Sequence, residues 1–125
     1  PQFDELAACV EYGSRRYNIL FGCDELLLTG LQAGVDGAVG STYNFMAPHY
    51  RRVIDAYQSG KMDEAKEHQA VATGRVEEIL RHGGHNALKA AMGILGVDCG
   101  PSRLPWKPLS DEARSALKQG LTDEH

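Results

Sequence analysis

Residues 17–44 read Tyr-Asn-Ile-Leu-Phe-Gly-Cys-Asp-Glu-Leu-Leu-Leu-Thr-Gly-Leu-Gln-Ala-Gly-Val-Asp-Gly-Ala-Val-Gly-Ser-Thr-Tyr-Asn, and this stretch decides the fold. Tyr17 to Phe21 is a short apolar run stopped by Gly22, the pattern of a strand buried on both faces. Asp24 offers a carboxylate as helix N-cap. Leu26, Leu27, Leu28 and Leu31 then supply a helix that Gly34 ends. Gly37 to Gly40 predicts a second short strand, followed by Ser41-Thr42-Tyr43-Asn44. Two parallel strands joined by a crossover helix need about this spacing. Both polar clusters therefore fall just past the C-terminal ends of adjacent parallel strands, the edge where β/α barrels and open α/β sheets place ligands.

Working outward, Phe3, Leu6, Ala7 and Val10 follow the i, i+3, i+4, i+7 pattern of an amphipathic first helix, which Gly13 and Ser14 end. Pro48 suits the first turn of a helix striped by Tyr50, Val53, Ile54 and Tyr57, with residues 43–47 as a preceding short turn or extra helical turn. A long helix over 63–82 puts Ala65, Gln69, Ala72, Val76, Ile79 and Leu80 on one face. A further one carries Leu88, Ala91, Met92 and Leu95 and ends at Gly96. Residues 100–108 hold three prolines and can be neither helix nor central strand. Ser110 caps a last helix that has Asp111 and Glu112 in its first turn.

The order is helix, strand, helix, strand, then only helices. Two parallel strands alone leave bare edges. The expected fold class is therefore α/β, mostly helical in this chain: the C-terminal portion of a (β/α)8 barrel, its last two strands with their helices, followed by a helical extension. Residues 1–60 would be the last β/α units with the ligand loops, and 61–125 the extension. A start at Pro1 without Met, helical almost at once, reads as a piece of something longer.

Composition narrows the function. The 125 residues carry a formal net charge of −4, which gives no general attraction to nucleic acid or to anionic membranes. No segment has the apolar length of a membrane-spanning helix. Cys9, Cys23 and Cys99 share no metal-ligand spacing, and three separated thiols fit a reducing cytoplasm better than a disulfide framework.

Asp24 and Glu25 have two readings. As N-cap and first-turn acid they need no ligand. At a strand end behind Gly22, where a ligand can approach the backbone, their carboxylates suit the hydroxyls of a sugar or polyol. A metal would need a third ligand that is not in view, and His82 and His85, flanking Gly83-Gly84, do not supply one. Gly40-Ser41-Thr42 is either a tight strand-to-helix turn with Ser41 or Thr42 as cap or a loop whose N–H groups cradle a phosphate, as such loops often do in barrels. None of Lys61, Lys66, Lys89, Lys107 and Lys118 falls at a strand end. Cys23 is the only candidate nucleophile, and its small apolar bulk suits packing better.

Taken together, Phe-Gly-Cys-Asp-Glu at 21–25 and Gly-Ala-Val-Gly-Ser-Thr-Tyr-Asn at 37–44 resemble the pyruvate-dependent aldolase family that contains dihydrodipicolinate synthase and N-acetylneuraminate lyase, and within it the sialic acid branch. The similarity runs on to Gly100-Pro101-Ser102-Arg103-Leu104-Pro105, nearly the whole chain but only the last two-fifths or so of a barrel of this class. The resemblance implies a Schiff-base lysine on the sixth strand, a proton-shuttling tyrosine on the fifth and a carboxylate-holding loop after the second, all upstream of Pro1. It implies that Gly22, Asp24 and Glu25 bind the polyhydroxyl tail of a sugar acid, while Gly40 and Ser41 face its middle. It implies no metal, no dissociable cofactor, a small-molecule partner, and a homo-oligomer, by family a tetramer. Two rival readings stand beside it: a sister aldolase acting on another 2-keto sugar acid, and a non-catalytic helical interaction module.

Overall fold

A computed structural model describes residues 3–122. The chain divides into two compact units, 1–73 and 74–125. The first unit opens with α1 (Phe3–Glu11) and β1 (Leu20–Phe21), then a 3-10 turn (Asp24–Leu26) that runs into α2 (Leu27–Gln32). β2 (Gly37–Ala38), α3 (Tyr43–Gln58) and the start of α4 (Met62–Arg81) follow. β1 and β2 pair in parallel, Leu20 opposite Gly37 and Phe21 opposite Ala38. The ladder continues past them, Val39 N–H donating to Phe21 O at 3.0 Å.

The strands are shorter than the sequence suggests, and β1 is not buried on both faces. Phe21 is buried, but Tyr17 and Leu20 are exposed, because among the described residues each strand has one neighbour and one uncovered side. Below β1, Asp36 replaces a ladder partner: its Oδ2 accepts Ile19 N–H at 2.8 Å while its own N–H donates to Ile19 O at 2.9 Å. Gly34, at φ +88°, closes α2 as the pattern requires.

The helical core of this unit gathers Leu27 and Leu28 of α2, Tyr50, Val53 and Ala56 of α3, and Ala65 and Ala72 of α4. Pro48 lies inside α3, not in its first turn. Thr42 O already accepts the N–H groups of Phe45 and Met46, so the helix starts five residues before the proline, which leaves Asn44 O without its intrahelical donor. The packing of Tyr50 and Val53 outweighs that loss.

In the second unit α4 ends, and α5 (His85–Ile94) and α6 (Asp111–Thr122) follow. α5 packs against α6, with Ala87, Ala90, Ala91 and Leu117 buried. Leu80 and Leu95 are exposed, contrary to the helical stripes drawn through them. Ser110 Oγ accepts Ala113 N–H at 3.2 Å, the cap that the sequence predicts. Arg75 Nη1 donates to Gly120 O at 2.9 Å, and a Cβ on Gly120 would strike Glu78. Between α5 and α6 the proline-rich strap is tied by Lys89, whose Nζ donates to Cys99 O and Pro101 O, both at 3.2 Å.

Candidate functional site

The parallel register carries both polar loops to one end of the strand pair. Gly22-Cys23-Asp24-Glu25 leaves β1 and Gly40-Ser41-Thr42-Tyr43 leaves β2 beside it. Asp24 and Thr42 clasp the two loops together: Asp24 Oδ2 accepts Thr42 N–H at 2.9 Å and Thr42 Oγ1–H at 2.5 Å. Both residues are buried. Thr42 Oγ1 lies 2.7 Å from the Tyr50 hydroxyl. Helical side chains lean toward the N-terminus, which lets Tyr50 reach back over two turns to the start of α3.

Asp24 is therefore not the cap of α2. No side chain caps the 3-10 turn or α2 from its own N-cap position. The donor comes to be satisfied from α4 instead, where Gln69 Oε1 accepts Leu28 N–H at 2.9 Å and Gln69 Nε2 donates to Asp24 O at 3.3 Å. Thr73 Oγ1 donates to Glu25 O at 3.0 Å. With α4 holding the backbone, the Asp24 carboxylate is free for the neighbouring loop. Thr42 sits at the N-cap of α3, but its hydroxyl makes no cap bond either; Ser41 contributes its carbonyl, which accepts Asn44 Nδ2 at 2.8 Å.

The five residues singled out in the sequence divide by exposure. Gly22 and Ser41 are exposed, Glu25 and Gly40 half-buried, and Asp24 buried. A Cβ on Gly22 would meet only Val39 O at 3.8 Å, whereas one on Gly40 would collide with the Asp24 carboxylate. Neither glycine has a positive φ. Gly40 is thus a matter of space.

Cys23 packs against the cluster of Val10, Phe21 and Val35. Burial, a hydrogen bond to the Glu25 side chain and the charge of Glu25 push its thiol up to about 11. A thiol so held is neutral near pH 7 and a poor nucleophile. Tyr43 stacks on Tyr50 with ring centroids 4.2 Å apart, and its hydroxyl is buried without a hydrogen-bond partner among the described residues. Burial, then the charge of Asp24, raise its phenol well above the usual range. No lysine is part of either loop: Lys61 pairs with Glu64 and Lys66 with Asp63, Lys89 holds the strap, and Lys107 and Lys118 are exposed. His82 Nε2 meets Glu78 Oε1 at 2.7 Å and His85 sits edge-on to Trp106.

Thr42, Tyr50 and Gln69 carry the site's framework, and sequence reasoning assigned them to a turn and to helix faces. The available signal was polar atoms in core stripes: a tyrosine hydroxyl and a glutamine amide on buried faces each need a partner.

Residues 2–124 match the Dihydrodipicolinate synthetase family. The chain belongs to that family. Among curated relatives, the N-acetylneuraminate lyase of Rhizobium meliloti (strain 1021) is 34% identical over 100 residues, covering 80% of this chain and 33% of the relative. That of Lactiplantibacillus plantarum is 38% identical over 87 residues, covering 70% and 30%. The solved Proteus mirabilis N-acetylneuraminate lyase superposes with a TM-score of 0.92 at 31% identity, over 98% of this chain and 42% of that one. The Fusobacterium nucleatum N-acetylneuraminate lyase complexed with pyruvate gives a TM-score of 0.88 at 30% identity, over 98% and 41%. The chain thus spans about a third of the length of these curated family members. Its own described part is mostly helical with two parallel strands, similar in fold to the matching part of those lyases. No helix among the described residues is long and apolar enough to cross a membrane.

Proposed function

We propose that this chain is the C-terminal part of a Schiff-base aldolase that cleaves N-acetylneuraminate to N-acetylmannosamine and pyruvate, and that it supplies the sugar-recognition loops. The observation that carries the reading is the clasp of the Gly22–Glu25 and Gly40–Tyr43 loops at one end of two parallel strands, in a chain whose relatives are N-acetylneuraminate lyases. In this reading β1 and β2 are the seventh and eighth strands of a (β/α)8 barrel. Residues 1–60 complete the barrel and 61–125 form its helical extension.

The chemistry of the loops suits a polyhydroxylated tail. Carboxylates accept hydroxyl protons, and each charged hydrogen bond contributes about 1.5–3 kcal/mol. Glu25 and the unclasped oxygen of Asp24 take that role. Exposed Gly22 lets the tail come close to the backbone, and Gly40 and Ser41 face the middle of the substrate. The amine that forms the Schiff base and the tyrosine that moves the proton belong to the part of the enzyme before Pro1. No metal or dissociable cofactor is required by this chemistry. The enzyme would work in the cytoplasm, consistent with three unpaired thiols, and its homo-oligomeric state is carried over from the family resemblance alone.

The test is cleavage by the full-length enzyme, followed by coupled detection of pyruvate, with N-acetylneuraminate compared against other 2-keto sugar acids. Preference for N-acetylneuraminate supports the reading. Preference for another 2-keto sugar acid reassigns the substrate, and no release from any of them removes the aldolase reading altogether.

A further inference from the structure

We infer that Thr42, Tyr50 and Gly40 are positioning residues that aim the Asp24 carboxylate at a substrate hydroxyl, an inference that rests on the sugar-recognition role proposed above. A carboxylate only accepts hydrogen bonds, so the single hydroxyl proton of Thr42 goes to Asp24 Oδ2. The contact of 2.7 Å between Thr42 Oγ1 and the Tyr50 hydroxyl must then be donated by Tyr50. Burial pushes the Tyr50 phenol up to about 12, with the charges of Asp24 and Glu25 adding to the rise. It remains a donor across the physiological range.

The chain of bonds therefore runs one way, from Tyr50 through Thr42 to Asp24. Two donors from one residue, the N–H and the hydroxyl of Thr42, converge on Oδ2. They fix the plane of the carboxylate and leave Oδ1 as the acceptor without a donor among the described residues. Gly40 stands against that carboxylate with no room for a side chain. A carboxylate locked in this way accepts a hydroxyl without losing side-chain freedom on binding, which is how pre-organisation strengthens recognition.

The rival account is a latch that only joins two loops. The full-length enzyme separates the two through KM for N-acetylneuraminate, trapping of pyruvate with borohydride, and thermal stability. Thr42→Val keeps shape and N–H but removes the hydroxyl. It should raise KM about tenfold, the equivalent of 1.4 kcal/mol, while pyruvate trapping stays intact, and Thr42→Ser should recover most of the affinity. Tyr50→Phe deletes only the outer donor and should raise KM about threefold, the scale of one neutral hydrogen bond. If Thr42→Val does not fold, Tyr50→Phe and Thr42→Ser decide. Lowered stability with an unchanged KM in the folded variants would overturn the inference and leave the latch. A wild-type enzyme that cleaves no sugar acid would instead overturn the functional reading, and the inference with it.

Discussion

Gln69 Oε1 accepts the backbone N–H of Leu28 at 2.9 Å, across 41 residues of sequence. The bond satisfies an early N–H of α2 from outside the helix, and the same amide donates to Asp24 O. Gln69→Leu would leave both groups part-buried without a partner, at a cost of about 1–3 kcal/mol each. A thermal or denaturant melt should show a clear loss of stability. Equal stability would mean that water replaces the amide and that α4 does not hold the loop.

The acid pair predicts a division between the two ends of the substrate. In the full-length enzyme, Asp24→Asn and Glu25→Gln should each weaken binding of the sugar acid by about 1.5–3 kcal/mol, the scale of a charged hydrogen bond. Pyruvate trapping should survive, since in the proposed reading that end is held elsewhere. Steady-state kinetics with both variants unchanged would reduce the acids to structural roles.

The two loop glycines should behave differently. Gly40→Ala drives a methyl into the Asp24 carboxylate, so sugar affinity and stability should fall together, by about 1–3 kcal/mol as for overpacking. Gly22→Ala meets only Val39 O at 3.8 Å and should leave the melting temperature within a degree or so, since surface changes are usually within about 0.5 kcal/mol. Any loss of sugar affinity in Gly22→Ala then reports the ligand itself. A Gly40→Ala protein as stable and as tight-binding as wild type would contradict the packing described.

Cys23 gives a prediction in pH. Its thiol is raised from 9.0 to about 11, so the folded protein keeps this proton when the unfolded chain has lost it. The stabilisation is complete below pH 9 and is lost as pH rises toward 11. Alkylation of Cys23 in the folded state should be slow near pH 8 and climb steeply up to about pH 11. Peptide mapping after labelling, with exposed Cys9 and Cys99 as internal references, measures this directly. Fast labelling of Cys23 at pH 8 would show that its packing against Val10, Phe21 and Val35 does not shield it.

Much of this was legible in the sequence, for physical reasons that differ from element to element. Gly22 and Gly34 punctuate β1 and α2 because an apolar run needs a stop, and Ser110 caps α6 because its first turn has orphan donors. The pattern also put both loops at one strand end, since a parallel pair leaves no other choice. The clasp itself was hidden. Asp24 before a leucine-rich helix looks like a cap, and only tertiary contact with Gln69 and Thr42 reassigns it. Pro48 misleads in the same way, since packing of Tyr50 and Val53 outweighs a local preference. Phe21 is buried as expected, but Leu20 is not, because burial of a strand face depends on neighbours that periodicity does not specify.

The central claim is that this chain recognises the sugar while the reacting amine lies outside it. The direct measurement is incubation of the full-length enzyme with N-acetylneuraminate and borohydride, followed by mass spectrometry of its peptides. Schiff-base formation needs an amine that is partly neutral near pH 7, set up by a desolvated pocket or a neighbouring cation, and none of the five lysines here is part of the two loops. The account predicts one reduced pyruvate adduct on a lysine before Pro1 and none on Lys61, Lys66, Lys89, Lys107 or Lys118. A stoichiometric adduct on any of these five, or no adduct anywhere, would contradict it.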